Sequence, residues 1–226
     1  MIAFIGNEVS DIMLYLAITL KEQRRRVLII EETSHETISF DMENLTTSQY
    51  KFEDIRKRIE QHREIDYLFG YKFSAFDTGC LEKLEEEYHD LFLRAARDCD
   101  SAWVKHCKSM FFLSDLQKDS IEYLKAISEI RQPDIILLRD IVNCKINPSY
   151  VLRQLEKKES ETKIIFVPFR NRDRRYQIEN QYSHTVRFIK LSSKLRRGVL
   201  EILYFLVPEL GRKEIMRVFE VAGKGR

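Results

Sequence analysis

Short, continuously apolar runs recur along the chain at Ile2–Ile5, Val27–Ile30, Met110–Leu113, Ile135–Leu138, Ile164–Val167 and Val186–Leu191, with a weaker one at Lys72–Phe76. Runs of this length that do not alternate with polar residues predict strands covered on both faces, as in a parallel sheet flanked by helices. Helical periodicity fills the intervals. Val9, Ile12, Met13, Leu16, Ala17 and Leu20 fall on one stripe, with Ser10 or Asp11 as the candidate cap. Leu81, Leu84, Tyr88, Leu91, Phe92 and Ala95 form a second stripe, and Leu116, Ile121, Leu124 and Ile127 a third. Tyr150–Leu155 and Leu195–Leu206 predict two more helices, the last stopped by Pro208. Phe52–His62 reads as a charged helix, and Ser34–Ser48 as a polar excursion with few apolar anchors.

This alternation predicts an α/β fold: a doubly wound, mostly parallel sheet of about seven strands with helices on both faces. Residues 1–208 form the expected single domain. Residues 209–226 are set apart as a basic amphipathic helix or tail, with Ile215, Met216, Val218, Phe219 and Val221 among Arg212, Lys213, Arg217 and Lys224. Such a helix can lie on a membrane surface or dock on the domain or on a partner.

Composition narrows the classes. The 226 residues are 44% hydrophobic and 33% charged, which suits a globular chain rather than a disordered one. The net charge of +2 does not mark a polyanion binder as a whole. No apolar run approaches the roughly 20 residues of a membrane span, and Met1–Gly6 enters directly into a strand, so a cytoplasmic protein is expected. Cys80, Cys99, Cys107 and Cys144 form no C-x-x-C pair, and neighbouring His106 and Cys107 point apart on a regular element. Reduced thiols and no metal are expected. Basic residues cluster twice. Arg24–Arg26 close a helix, where they offset its dipole. Arg170, Arg172, Arg174 and Arg175 form a contact patch for the phosphates of nucleic acid or a membrane surface, interrupted by Asp173.

The turn after the first strand is where α/β folds hold phosphate, with backbone amides, a helix N-terminus and a lysine as the usual donors. Here it reads Gly6-Asn7-Glu8-Val9-Ser10-Asp11-Ile12-Met13, with one glycine and no lysine before Lys21. Glu8 and Asp11 bring two carboxylates to the place of a triphosphate. At ~4 Å and a surface-like dielectric each like-charge contact costs a few kcal/mol. Asp77-Thr78-Gly79 reads either as a remnant Mg²⁺ site or as an exposed acidic turn.

Met1-Ile-Ala-Phe-Ile-Gly-Asn7, Leu14-Tyr-Leu-Ala17 and Arg26-Val-Leu-Ile-Ile-Glu31 together resemble the opening of the ParA/MinD-type deviant-Walker ATPases. Against that family's K-G-G-x-G-K-[ST] loop the chain is about four residues short, and both lysines are missing. The resemblance implies vestigial nucleotide-site positions at Gly6, Asn7, Glu8, Ser10 and Asp11, and at Glu31, which stands where the family has a water-positioning Asp. It further implies a Walker-B-like carboxylate at Asp77, ending a third-strand segment from Asp66, and an adenine-side loop at Pro168. Met110–Asp115 with Ser120 and Ala126 resembles the next strand and helix. The pattern is most similar to the CpaE/TadZ-type members that accompany pilus and secretion machines. These implications give a catalytically inactive or weakly nucleotide-binding scaffold that acts through protein contacts, as a homodimer or hetero-complex, without a cofactor. The alternatives are an atypical NTPase using ATP and Mg²⁺ with Arg170 or Arg172 in place of the loop lysines, and a DNA-associated partition factor.

Overall fold

The computed structural model describes residues 1–7, 9–31, 52–69, 76, 78–95, 101–154, 162–182 and 186–225. Among these, eight strands form one sheet: β1 (Ile2–Ile5), β2 (Val27–Glu31), β3 (Glu60–His62), β4 (Ile65–Phe69), β5 (Asp90–Arg94), β6 (Ser109–Ser114), β7 (Ile135–Ile141) and β8 (Lys163–Pro168). Their spatial order is β3-β4-β2-β5-β1-β6-β7-β8, and every pairing is parallel except β3 on β4. The helices are α1 (Ser10–Glu22), α2 (Phe52–Lys57), α3 (Thr78–Glu87), α4 (Ser101–His106), α5 (Lys118–Ile130), α6 (Pro148–Gln154), α7 (Asn171–Tyr182), α8 (Ser193–Leu206) and α9 (Arg212–Ala222). The doubly wound α/β architecture expected from the apolar runs is therefore present.

β1 lies between β5 and β6 and shows why its sequence is apolar throughout. Ile2 and Phe4 enter the core shared with α1, α8 and α9, while Ala3 and Ile5 enter the core shared with α3, α4, α5 and α6. Side chains alternate across a strand, so a strand covered on both sides needs apolar residues at every position.

Three expectations are corrected. The stripe from Leu81 to Ala95 is not one helix: α3 stops at Glu87 and β5 follows, placed between β1 and β2. The Arg26 carbonyl accepts from the His89 and Asp90 amides, at 3.0 and 3.2 Å, and pulls the chain into the sheet. Tyr88, Leu91, Phe92 and Ala95 satisfy helical spacing by coincidence, because a strand apolar on both faces also fills those positions. Second, Phe52–His62 divides into α2 and the edge strand β3, which turns into β4 through Arg63 and Glu64 at φ of 53° and 61°. That pair of left-handed residues is the geometry of a two-residue hairpin. Third, Val186–Leu191 is not a strand. Val186, Phe188 and Leu191 are buried, but the Arg187 amide donates to Asn180 Oδ1 at 3.2 Å and the Ile189 amide to the Gly223 carbonyl at 3.0 Å. Its backbone polar groups are satisfied without a sheet neighbour. Within the Asp66–Gly79 segment the strand among the described residues is Ile65–Phe69, and Lys72–Ala75 lie outside them. Of the expected strand Lys72–Phe76 only Phe76 is described, buried and outside any strand.

The C-terminal segment packs on the domain. Ile215, Phe219 and Ala222 of α9 are buried in the core with α1 and α8, and the Phe219 ring lies 4.9 Å from that of Phe188, which in turn contacts Tyr15 at 5.1 Å. Much of the apolar stripe that suggested a membrane helix thus faces the core, although Met216 and Val221 remain exposed. Among the described residues no helix is long and apolar enough to cross a membrane. Replacing Phe219 by Ala should lower the unfolding free energy by about 3–5 kcal/mol. Urea titration should show an earlier midpoint at unchanged slope, and an unmoved midpoint would mean that α9 is not part of the cooperative core.

Candidate functional site

The chain leaves β1 through α1 toward β2, and leaves β6 through α5 toward β7, on opposite faces of the sheet. This reversal between β1 and β6 opens a crevice at the carboxyl ends of the strands, the position where doubly wound sheets bind ligands. A cleft of about 460 Å³ occupies it, lined by Asn7 after β1, Ser114–Gln117 at and after the end of β6, Arg139, Asp140 and Val142 in and after β7, and Phe169 and Arg174 after β8.

Gly6 makes the first turn possible. Its φ is +116°, and a Cβ there would stand 2.1 Å from the Leu113 carbonyl oxygen of β6. The glycine allows two backbones to approach closely, a structural demand independent of any ligand. Asn7 Nδ2 then donates to Ser120 Oγ at 3.1 Å, and Ser120 Oγ donates to Asp115 Oδ1 at 2.6 Å. The same Asp115 oxygen accepts from the Gln117 amide at 3.0 Å. The β1–α1 turn is thereby tied to the start of α5.

α1 begins at Ser10, and its cap position is Val9, which supplies no side-chain bond. Neither Ser10 nor Asp11 is the cap expected from sequence. Asp11 lies inside the first turn, where its Oδ1 accepts from the Ile12 amide at 2.9 Å. A carboxylate here is favoured by the helix dipole. It is also neutralised across the sheet: Arg139 Nη1 donates to Oδ1 at 2.7 Å and to Oδ2 at 2.9 Å. Both side chains are enclosed, at 4% and 11% exposure for Arg139 and Asp11. Burial alone would push the Arg139 guanidinium down, but the Asp11 carboxylate, joined by Asp140 at 3.8 Å, outweighs it and the shift is upward. Burial and the same carboxylate hold the neighbouring Tyr15 phenol above its ordinary value.

Arg139 reaches Asp11 through an irregularity in β7. Leu138 pairs with Phe166 and Ile141 with Pro168, so β7 carries one more residue than β8 between those pairs. Asp140 takes φ of 56° within this bulge. Bulges bend a strand and re-aim its side chains, and are frequent beside functional sites.

The remaining predicted residues divide. Glu31 at the end of β2 pairs with Arg94 at the end of β5. Ser10 is exposed at the start of α1, and Pro168 ends β8, where the Phe169 amide donates to the Ile141 carbonyl at 2.9 Å. Glu8 and Asp77 lie outside the described residues. Arg174 turns into the cleft and donates to Gln177 Oε1 at 2.7 Å, whereas exposed Arg170 and Arg172 do not line it. Arg172, Arg175 and Lys190 stand 5.9, 5.0 and 5.8 Å from the Tyr176 ring. The interrupting Asp173 is buried, accepting from the Ser192 amide and hydroxyl at 2.6 Å each, so it does not dilute the surface charge. The other basic cluster is partly internal: Arg25 makes a forked pair with Asp90 at 2.7 and 3.0 Å, and Arg26 stacks on Tyr88.

Sequence reasoning missed Arg139, Ser114 and Arg94. Arg139 had a signal, the charged pair Arg139-Asp140 closing the apolar run Ile135–Leu138 at a strand's carboxyl end.

The strand order and the cleft define a doubly wound α/β protein with its candidate site beside the first strand. The structure is similar to the ParA family ATPase from Chlorobium tepidum TLS, at 11% identity over 80% of this chain and 90% of that one, with a TM-score of 0.55. It is also similar to the MinC:MinD cell division protein complex of Aquifex aeolicus, at 11% identity over 77% of this chain and 84% of that one, with a TM-score of 0.51. No protein-family model and no curated protein matches the sequence. The chain therefore has the ParA/MinD-type fold.

Two measurements test the local geometry. Gly6→Ala should destabilise the fold by several kcal/mol, because the new Cβ meets backbone rather than a movable side chain; retention of the wild-type denaturation midpoint would refute that packing. Arg139→Met should cost about 3–5 kcal/mol by leaving Asp11 buried without its partner. Adding Asp11→Ala to it should cost clearly less than the sum of the two single changes, and additive costs would mean that the pair is not coupled.

Proposed function

We propose that this chain is a ParA/MinD-like scaffold that acts through protein contacts and does not turn over a nucleoside triphosphate. One observation carries the reading. The first turn of α1, where the fold would receive phosphate, already holds the Asp11 carboxylate, and the cation against it is Arg139. A triphosphate would have to displace an enclosed ion pair and approach a turn with no lysine before Lys21. Glu31, engaged by Arg94, is poorly free to orient an attacking water. Gly6, Asn7, Glu8, Ser10, Asp11, Glu31, Asp77 and Pro168 are accordingly vestigial positions of a nucleotide site, and the protein uses neither cofactor nor metal.

Protein partners fit this face. Val142, Ile146 and Phe169 are exposed around the cleft, and apolar rims of this kind mark interaction sites. The MinC:MinD neighbour is itself a complex of two proteins. A homodimer or hetero-complex across this face, serving a pilus or secretion machine from the cytoplasm or its membrane surface, follows as the working role. Calorimetric titration with ATP and Mg²⁺ should give no binding below millimolar, and light scattering should show an oligomeric state indifferent to nucleotide. Tight ATP binding coupled to dimerisation would reject the proposal.

The three cations around Tyr176 favour a second reading, in which α7 holds DNA during partitioning. DNA affinity would then fall steeply with salt, and Arg172→Ala with Arg175→Ala would flatten the slope by about two phosphate contacts. Equal affinity for wild type and double variant at all salt concentrations would remove it.

A further inference from the structure

We infer that α7 is a movable wall of the cleft. It is held on the domain by hydrogen bonds near its two ends rather than by a buried apolar stripe, and it undocks as a unit while the rest of the fold stays intact. This goes beyond the proposed function and holds whatever the cleft binds.

The inward residues of α7 are polar. Asp173, Gln177 and Asn180 are buried, and they follow the i, i+4, i+7 spacing of one helix face. Of the helix's three apolar residues, Ile178 and Tyr182 are exposed, at 47% and 86%. Tyr176 alone packs on the core, half-buried, with Arg172, Arg175 and Lys190 around its ring. α1 and α8 are built the other way, enclosing Ile12, Met13 and Leu16 in one and Leu195, Val199 and Leu203 in the other.

Polar pins replace the missing stripe. At the start of α7 the Ser192 amide and hydroxyl donate to the two Asp173 carboxylate oxygens at 2.6 Å each. Toward its end the Arg187 amide donates to Asn180 Oδ1 at 3.2 Å, and Arg63 of the β3–β4 turn donates to the Asn180 carbonyl at 2.9 Å. An undocked helix exchanges these bonds for bonds to water, a small net change, and gives up little apolar burial. Local opening is cheapest where apolar contacts are fewest, which sets α7 apart from α1 and α8. The consequence for the site follows from position. Arg174 lines the cleft from the first turn of α7, and Phe169 lines it just before that helix. When α7 undocks, the cleft loses the Arg174 part of its wall and widens on the β8 side.

The test is hydrogen exchange of the full chain, read by mass spectrometry, at increasing urea below the unfolding transition. Amides of α7 should be protected about a hundredfold less than those of α1 and α8, with a weaker urea dependence. Leu124→Ala removes packing in the core on the opposite face of the sheet. It should lower protection in α1 and α8 by about thirtyfold or more and leave α7 unchanged, because α7 opens while that core is still intact. Asp173→Ala should speed exchange in α7 by about tenfold, since a hydrogen-bonded charge holds only the docked helix. In the wild type, protection and urea dependence equal in α7 and α1 would overturn the inference. A parallel loss in α7 on Leu124→Ala would overturn it too, and unchanged α7 exchange on Asp173→Ala would remove the Asp173–Ser192 pin. The wild-type and Leu124→Ala comparisons decide the matter even where Asp173→Ala does not fold.

Discussion

A guanidinium enclosed by protein is tolerable only with a counter-charge beside it, and the contact between Arg139 and Asp11 supplies that balance where the two halves of the sheet meet. Arg139 comes from β7, two strands from β1, and Asp11 from the helix that follows β1. The pair therefore fixes the start of α1 relative to the far half of the sheet. The bulge in β7 carries Arg139 and the left-handed Asp140, and Tyr15 is buried in the adjoining core against Phe188. Other strand ends repeat the device, with Arg94 on Glu31 and Arg25 on Asp90. These three arginines serve internal balance, whereas Arg172 and Arg175 of α7 face outward beside Tyr176.

The crevice beside β1 arises from topology alone, since strands leave it in opposite directions on either side. What the crevice can do depends on its furnishing. Donors exist in Arg139, Asn7 and Ser114, and the Asp11 carboxylate accepts from the first of them and from the Ile12 amide. The ParA/MinD-type fold is therefore combined with a first turn of α1 that holds an enclosed carboxylate–guanidinium pair. Fold and activity are separable for this reason: packing of β1 and α1 needs apolar residues and Gly6, whereas phosphate binding needs donors left open.

Much of the architecture was legible in the sequence. Continuous apolar runs gave five of the seven parallel strands, and the spacing of Val9 to Leu20 gave α1, because burial on two faces and on one stripe leave different periods. β5 was hidden, since Tyr88, Leu91, Phe92 and Ala95 satisfy both periods. α7 was hidden as well, because Arg170–Arg175 shows no apolar stripe and Asp173 is held by Ser192 from another segment. At the site, the short acidic turn and its lack of lysine could be read directly. The identity of the residue that neutralises Asp11 could not.

The sequence by itself determined the class of fold, the helix after the first strand and a first turn with no lysine before Lys21, because each is a local pattern of apolar spacing or residue type. Only the tertiary structure decided that Arg139 meets Asp11, that Gly6 serves a backbone contact with β6, and that residues 186–191 lie under α9 without joining the sheet. Those are contacts between segments far apart in the chain. Their partners are chosen by strand order and by the requirement that buried polar groups be satisfied, and neither is written in any local window.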